Sequence, residues 1–298
     1  MPGGSHAART AIRNDVFGSD SPAVRLGGVH ALAGLADDAP DVSLRQTCID
    51  VLCAYLRLPY TPDPGPADLE GHHRFLALRE VRHTILRLIG DHYRRPEGTH
   101  RSWQGCDLDL TGITIDGHMD FGGAMFASGE VSFSGAAFTD GTVSFHGATF
   151  SGAEVFFGGA TFASGSVSFQ DATFSDGEVS FARATFSGGR VLFGRGTFAG
   201  AAVSFTQATF SGGRVFFGGA MFASGAVSFS GAAFTDGTVS FLGATFDGSE
   251  MLFHDATFAG GELSFRSARG AAPSDLLAAV GSPVPAAVTL PSAWAPTS

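Results

Sequence analysis

Apolar positions between Phe121 and Phe258 follow one rule. Phe recurs at intervals that alternate between five and seven residues, from Phe121 and Phe126 through Phe133 and Phe138 to Phe253 and Phe258. The unit is therefore 12 residues long, and it repeats without a break. Two residues before the first Phe of each unit stands Val131, Val143, Val155 and so on, ending in Met251 and Leu263. Two residues before the second stands Ala124, Ala136, Ala148 and so on, with Gly196 the exception. Side chains two apart share a face of an extended segment, so each Val–Phe and Ala–Phe couple points inward together. Gly follows each second Phe at the second or third position, as at Gly129, Gly141, Gly152 and Gly165, where a tight turn needs a positive φ. One unit is thus two short strands and two turns.

A coil of one unit would have to hold two Phe rings, a Val and an Ala, and is too narrow for that volume. A coil of two units, 24 residues, has four sides with one inward Phe on each. The pattern therefore predicts a mainly β, four-sided solenoid over residues 103–269, of about six coils rising roughly 4.8 Å each. Phe133, Phe145, Phe157, Phe169, Phe181, Phe193, Phe205, Phe217, Phe229 and Phe241 are its expected core.

Other patterns flank it. Residues 1–19 are expected to be disordered, and residues 20–102 to form a small all-α domain of about three helices. The first runs from Pro22 to about Ala36, with Val24, Ala31, Leu32 and Leu35 on its apolar side. A second, about Ser43 to Leu58, carries Leu44, Val51, Leu52, Tyr55 and Leu56. After a Pro-rich linker, Pro59 to Pro66, a third from about Ala67 to Arg95 carries Phe75, Leu78, Val81, Ile85, Leu88 and Ile89. Open solenoid ends would expose Phe and unpaired strand edges, so the helices are expected to cover one end. The tail, 270–298, is expected to cover the other, with a helix over Asp275 to Val280 capped by Ser274, and with Leu290 and Trp294 as lids.

The runs Val131-Ser-Phe-Ser-Gly-Ala-Ala-Phe138 and Ala160-Thr-Phe162 resemble the pentapeptide-repeat family, and Cys106-Asp-Leu-Asp-Leu110 comes nearest to its usual Leu-and-Asp form. The resemblance covers residues 106–268 and implies a right-handed quadrilateral β-helix. Two features depart from the family pattern: every second interval is seven, and Ser or Thr mostly replaces the Asp or Asn before the face centre. The segment Val24-Arg-Leu-Gly-Gly-Val-His-Ala-Leu32 resembles the first helix of a HEAT-like pair.

Charge narrows the function. The chain carries −10 overall; residues 106–269 hold 15 acidic and 6 basic residues, a balance of −9, whereas residues 1–105 hold 12 of each. No basic surface for gripping nucleic acid is predicted. All 18 basic residues are Arg, the mark of a GC-rich bacterial genome. Cys48, Cys53 and Cys106 lack metal-ligand spacing and read as reduced thiols of a cytoplasmic protein. No apolar run is long enough to span a membrane. His72, His73 and His83 read as a solvated helix face, and His146 and His254 as exposed variants of one repeat position. No nucleophile–base arrangement, metal set or phosphate cradle has supporting context, so neither enzymatic activity nor a cofactor is expected.

The outward positions carry the remaining information. In a 24-residue register the residue before each Val forms two columns. One reads Glu130, Glu154, Glu178, Ala202, Ala226, Glu250; the other reads Thr142, Ser166, Arg190, Arg214, Thr238, Glu262. Two readings stand for the acidic column: drift on a solvated face, or a strip for a basic partner. One residue beyond Val, where Ser is usual, Leu192 and Phe216 stack outward, while Phe156 and Leu252 stand apart. Two functions follow. One is a non-enzymatic protein-interaction scaffold that binds another protein or pairs with itself as a homodimer. The other, implied by the family resemblance, is a mimic of duplex DNA that binds a type II topoisomerase such as gyrase.

Overall fold

The computed structural model describes residues 21–59 and 61–294; the segment expected to be disordered, 1–19, lies outside them. Helices α1 (Pro22–Asp37), α2 (Val42–Leu56) and α3 (Leu69–Tyr93) form a small helical unit. Pro22 opens α1 at a position where its missing N–H costs nothing. Asp41 and Asp68 cap α2 and α3, their carboxylates accepting from the N–H groups of Leu44 at 2.8 Å and Gly71 at 2.9 Å.

The inward face of α1 differs from the expected one. Val29, Leu32, Ala33 and Ala36 are buried, whereas Val24, Ala31 and Leu35 are exposed. Small residues at 28, 33 and 36 let α1 lie close to its neighbours, and that close fit outweighs the larger side chains of the other stripe. In α2 the buried set is Cys48, Ile49, Leu52, Cys53, Tyr55 and Leu56, so the two cysteines are core residues. Burial in α3 begins at Val81; Phe75 and Leu78 are half-buried.

From Leu108 onward the chain is a parallel β-solenoid. Strands pair with those one coil away in a 24-residue register: Val131 opposite Val155, Val155 opposite Val179, Val179 opposite Val203. One Val column runs Leu108, Val131, Val155, Val179, Val203, Val227, Met251, which is seven rungs. The other runs Met119, Val143, Val167, Val191, Val215, Val239, Leu263, Val288, which is eight. The stack is thus longer than the six coils expected, because the Leu- and Ile-bearing segment 108–115 and the tail residue Val288 supply rungs without Phe.

The structure also explains why one aromatic dominates. Phe side chains form four columns, and successive rings within a column lie 4.6 to 5.2 Å apart and nearly parallel. That spacing matches the distance between hydrogen-bonded strands, so one flat ring fits each rung. Two columns meet edge to face; Phe193, for example, lies 5.8 Å from Phe181 at 82°. All ten Phe named as core are fully buried.

The two turns of each unit differ. In the five-residue interval the Ala N–H returns to the Phe carbonyl, as in Ala136 to Phe133 at 3.0 Å, with Gly135 at φ 65° between them. A Cβ at Gly135 would meet nothing within 4 Å, so only the backbone angle favours Gly there. Asp171, Arg183, Arg195 and Gln207 occupy the same position in later coils, all at positive φ. In the seven-residue interval the coils touch. A Cβ at Gly177 (φ 79°) would lie 2.5 Å from the Ala153 carbonyl oxygen, so Gly meets both an angular and a spatial demand.

Both ends are closed by aromatic rings and borrowed hydrogen bonds. Tyr93 of α3 packs on Phe121 and Phe126 at 5.6 and 5.5 Å and donates its hydroxyl to the Cys106 carbonyl. The first coil's open edge is satisfied by side chains from the helices. The Gln46 amide donates to the Asp107 carbonyl and accepts from its N–H, both at 2.9 Å. Arg57, Arg82 and Arg79 donate to the carbonyls of Asp109, Thr114 and Asp116. At the far end Trp294 lies on Phe246 and Phe265 and donates to the Gly270 carbonyl at 2.9 Å. Helix α4 (Ser274–Val280) packs beside the rung at Met251; it starts at Ser274, so Pro273, not Ser274, takes the cap position.

Candidate interaction surfaces

Most strands alternate a buried with an outward residue, so the solenoid displays its outward positions as columns one coil apart. The register brings Glu130 opposite Glu154 and Glu154 opposite Glu178, then Ala202, Ala226 and Glu250. The column also extends toward the helices. Leu108 opposite Val131 places Asp107 beside Glu130, and an Asp107 carboxylate oxygen accepts from the Glu130 N–H at 2.8 Å. The spacing there is 23 residues, not 24, so a strict repeat count misses Asp107. Adjacent carboxylates about 4 Å apart repel by roughly 1 kcal/mol even in water. Among the described residues no cation pairs with Glu130, Glu154 or Glu178.

The second column reads His118, Thr142, Ser166, Arg190, Arg214, Thr238 and Glu262. Arg190 and Arg214 are exposed neighbours, and neither guanidinium has a partner among the described residues. Leu192 and Phe216 stand next to them, in register and half-exposed. Phe156, on the acidic side, lies between Ser132 and Ser180 and covers both; these serines are 8% exposed each, although their positions read as outward. Leu252 is paired with Ser228 and remains separate.

A third set sits on the five-residue turns, and the repeat pattern gave no sign of it. Arg195 grips Asp171 with two hydrogen bonds, 2.7 and 2.6 Å, one coil apart, and His146 lies 3.6 Å from the same carboxylate. The Arg195 hydrogen bond holds the Asp171 carboxyl below its usual range, and the pair raises the Arg195 guanidinium in turn. Arg183 donates to Gln207 at 3.0 Å in the same manner.

Where α3 meets the first coil, a cleft of about 350 Å³ is lined by Glu80, His83, Arg87, Arg94, His118 and Asp120, among others. His83 is not on a solvated face as its sequence position implied: it lies 3.0 Å from Asp116, which also accepts from Arg79 at 3.0 Å. His72 pairs with Asp63 at 2.7 Å, and His73, His146 and His254 are exposed. Among the described residues no group of three or more His, Cys, Asp or Glu is placed to hold a metal. All three cysteines are buried; burial pushes the Cys53 thiol up to about 12, with Asp50 adding to the effect, and raises the Cys106 thiol. No described helix is long and apolar enough to cross a membrane.

A scan against protein-family models, a search of curated proteins and a search of solved structures returned no match. The parallel coils and Phe stacks are consistent with a pentapeptide-repeat fold.

Proposed function

We propose that this chain is a non-enzymatic protein-interaction scaffold on a right-handed, four-sided solenoid of pentapeptide type. The observation that carries the reading is the pair of like-charge ladders, Glu130–Glu154–Glu178 and Arg190–Arg214, held in register without partners. Folding gains nothing from such neighbours, because their repulsion opposes the coil stack. A partner of opposite charge turns that repulsion into attraction and fixes orientation. The reading also takes the protein to be cytoplasmic, its buried thiols being suited to a reducing compartment. The test is capture of partners from a native extract by the wild-type chain and by chains with either ladder neutralised to Ala. Partners lost with one ladder support the scaffold; an identical set with both ladders removed would sink it.

A second reading rests on the acidic column, now four residues long with Asp107, and on the −9 balance of residues 106–269. A rod with carboxylates at regular spacing suits the DNA-binding groove of a type II topoisomerase. Duplex DNA carries one charge per about 1.7 Å, far denser than this ladder, so the scaffold reading leads. Glu130→Arg, Glu154→Arg and Glu178→Arg together change these three positions from −3 to +3 without touching a Phe. On this reading the wild-type chain inhibits gyrase supercoiling and the triple variant does so weakly. Unchanged gyrase activity with the wild-type chain at micromolar concentration would end it.

A further inference from the structure

Of the Phe residues in the solenoid, two stand outside the four inward columns: Phe156 and Phe216. Each lies two residues after an unpaired charge on the same strand, Glu154 in one case and Arg214 in the other. Arg190 and Leu192 repeat the basic motif one coil earlier. The acidic motif lies on one sheet and the basic motif on the other, half a coil apart around the solenoid. Because both belong to the same stack, their ladder spacing is set by the same coil rise. Rings one coil apart are 4.7 Å apart for Phe157 and Phe181 beside the acidic motif and 4.7 Å for Phe193 and Phe217 beside the basic one.

We propose that the basic face, Arg190, Leu192, Arg214 and Phe216, docks the acidic face of a second copy of this chain. Charge and spacing together select this occupant. A ladder of guanidinium groups one coil apart fits carboxylates held at the same interval, and an identical solenoid carries such a set. Charge meets charge and ring meets ring only if the facing strands run in the same direction. Strands on facing sides of two identically wound coils do so when the coil axes are antiparallel. In that register Arg214 meets Glu154, Arg190 meets Glu178, and Phe216 meets Phe156. The two motifs lie on different faces, so the contact is heterologous. A pair keeps one free acidic face on one copy and one free basic face on the other, so the array grows sideways instead of closing as a dimer. This deepens the scaffold reading by naming what covers the basic face. Capture of an outside protein by a chain that never self-associates would leave the scaffold standing and remove this inference.

The test is sedimentation velocity on the purified full chain at low salt, with three samples. The wild type is expected to associate with rising concentration, and to dissociate as salt screens the ladders. Arg190→Glu with Arg214→Glu, and separately Glu154→Arg with Glu178→Arg, are each expected to weaken association more than about tenfold. Mixed in equal amounts, the two reversed chains are expected to associate again, since each restores the charge the other has lost. Recovery in the mixture also shows that both variants are folded, a point checked independently by circular dichroism. A wild type that stays monomeric at high micromolar concentration and low salt would overturn the proposal. So would folded reversed chains that associate as well as the wild type alone, or that fail to associate when mixed.

Discussion

Replacing Phe193 by Ala tests the packing of the whole solenoid at its most connected point. The ring is fully buried. It stacks between Phe169 at 4.8 Å and Phe217 at 4.7 Å, and meets Phe181 and Phe205 edge to face at 5.8 and 5.9 Å. Removing it deletes a rung from one column and a wedge from the column it abuts. The backbone on both sides is tied to neighbouring coils, with the Phe193 N–H on the Phe216 carbonyl at 2.6 Å, so collapse into the gap is restricted. A Phe→Ala change at such a site costs about 3–5 kcal/mol, and poor relaxation puts this one toward the upper end.

The comparison is Phe258→Ala. Phe258 is half-exposed and makes a single ring stack, on Phe234 at 5.2 Å, so water reaches the space its ring leaves. About 1–2 kcal/mol is expected there, from partial loss of apolar burial. Urea unfolding followed by far-ultraviolet circular dichroism gives both values. The ordering matters more than either number. If Phe258→Ala is as costly as Phe193→Ala, ring stacking within the columns is not what holds the coils together.

Further outcomes follow from the same geometry. Gly177→Ala is expected to destabilise by more than about 2 kcal/mol in the same unfolding assay, since its Cβ would meet the Ala153 carbonyl oxygen at 2.5 Å; Gly135→Ala, with open space, should cost about 1. The native thiols should resist Ellman's reagent at pH 8 and react only on unfolding, because all three are buried and the Cys53 thiol is pushed up to about 12. The Asp171 carboxyl is depressed by Arg195, so the pair stabilises at neutral pH and its contribution is lost as pH falls through the lowered folded value. Arg195→Ala should therefore reduce stability at pH 7 and remove part of the acid sensitivity in thermal melts at pH 7 and pH 3. Gln46→Ala should uncover the first strand edge and promote aggregation on heating, read by light scattering.

The solenoid was legible because each inward position repeats a single demand. A ring must fill a rung, and the 24-residue register followed from how many rings one coil can hold. The helices were legible in extent and, in α2 and α3, largely in face, since Leu52, Tyr55, Leu56, Val81, Ile85, Leu88 and Ile89 are buried as their spacing predicts. In α1 only Leu32 of the expected stripe is buried; Val24 and Leu35 are exposed, and Val29 and Ala36 are buried with Leu32 instead. Which stripe of a short helix is buried depends on what packs against it, and no local pattern contains that. Asp107 was missed for a related reason: one coil is a residue short, so counting by 24 passes over it. The Asp171–Arg195 pair was hidden by its position, where Gly is usual and a substitution looks like tolerance of an open turn.

Regularity in the core has a consequence for the surface. Every outward side chain is held at a spacing set by the Phe columns, so its identity can change with little effect on packing. Unselected changes would then scatter along the stack. Instead the outward Phe pair and the unpaired Arg pair fall in the coils between residues 154 and 216, each Phe on the strand of a charge. Stability does not ask for that order. Phe156 covers two serines at the cost of exposing its own ring, and Arg190 and Arg214 repel across one coil. The proposed docking of a second copy accounts for both penalties at neighbouring rungs, because the acidic column half a coil away has the matching charge at the matching interval.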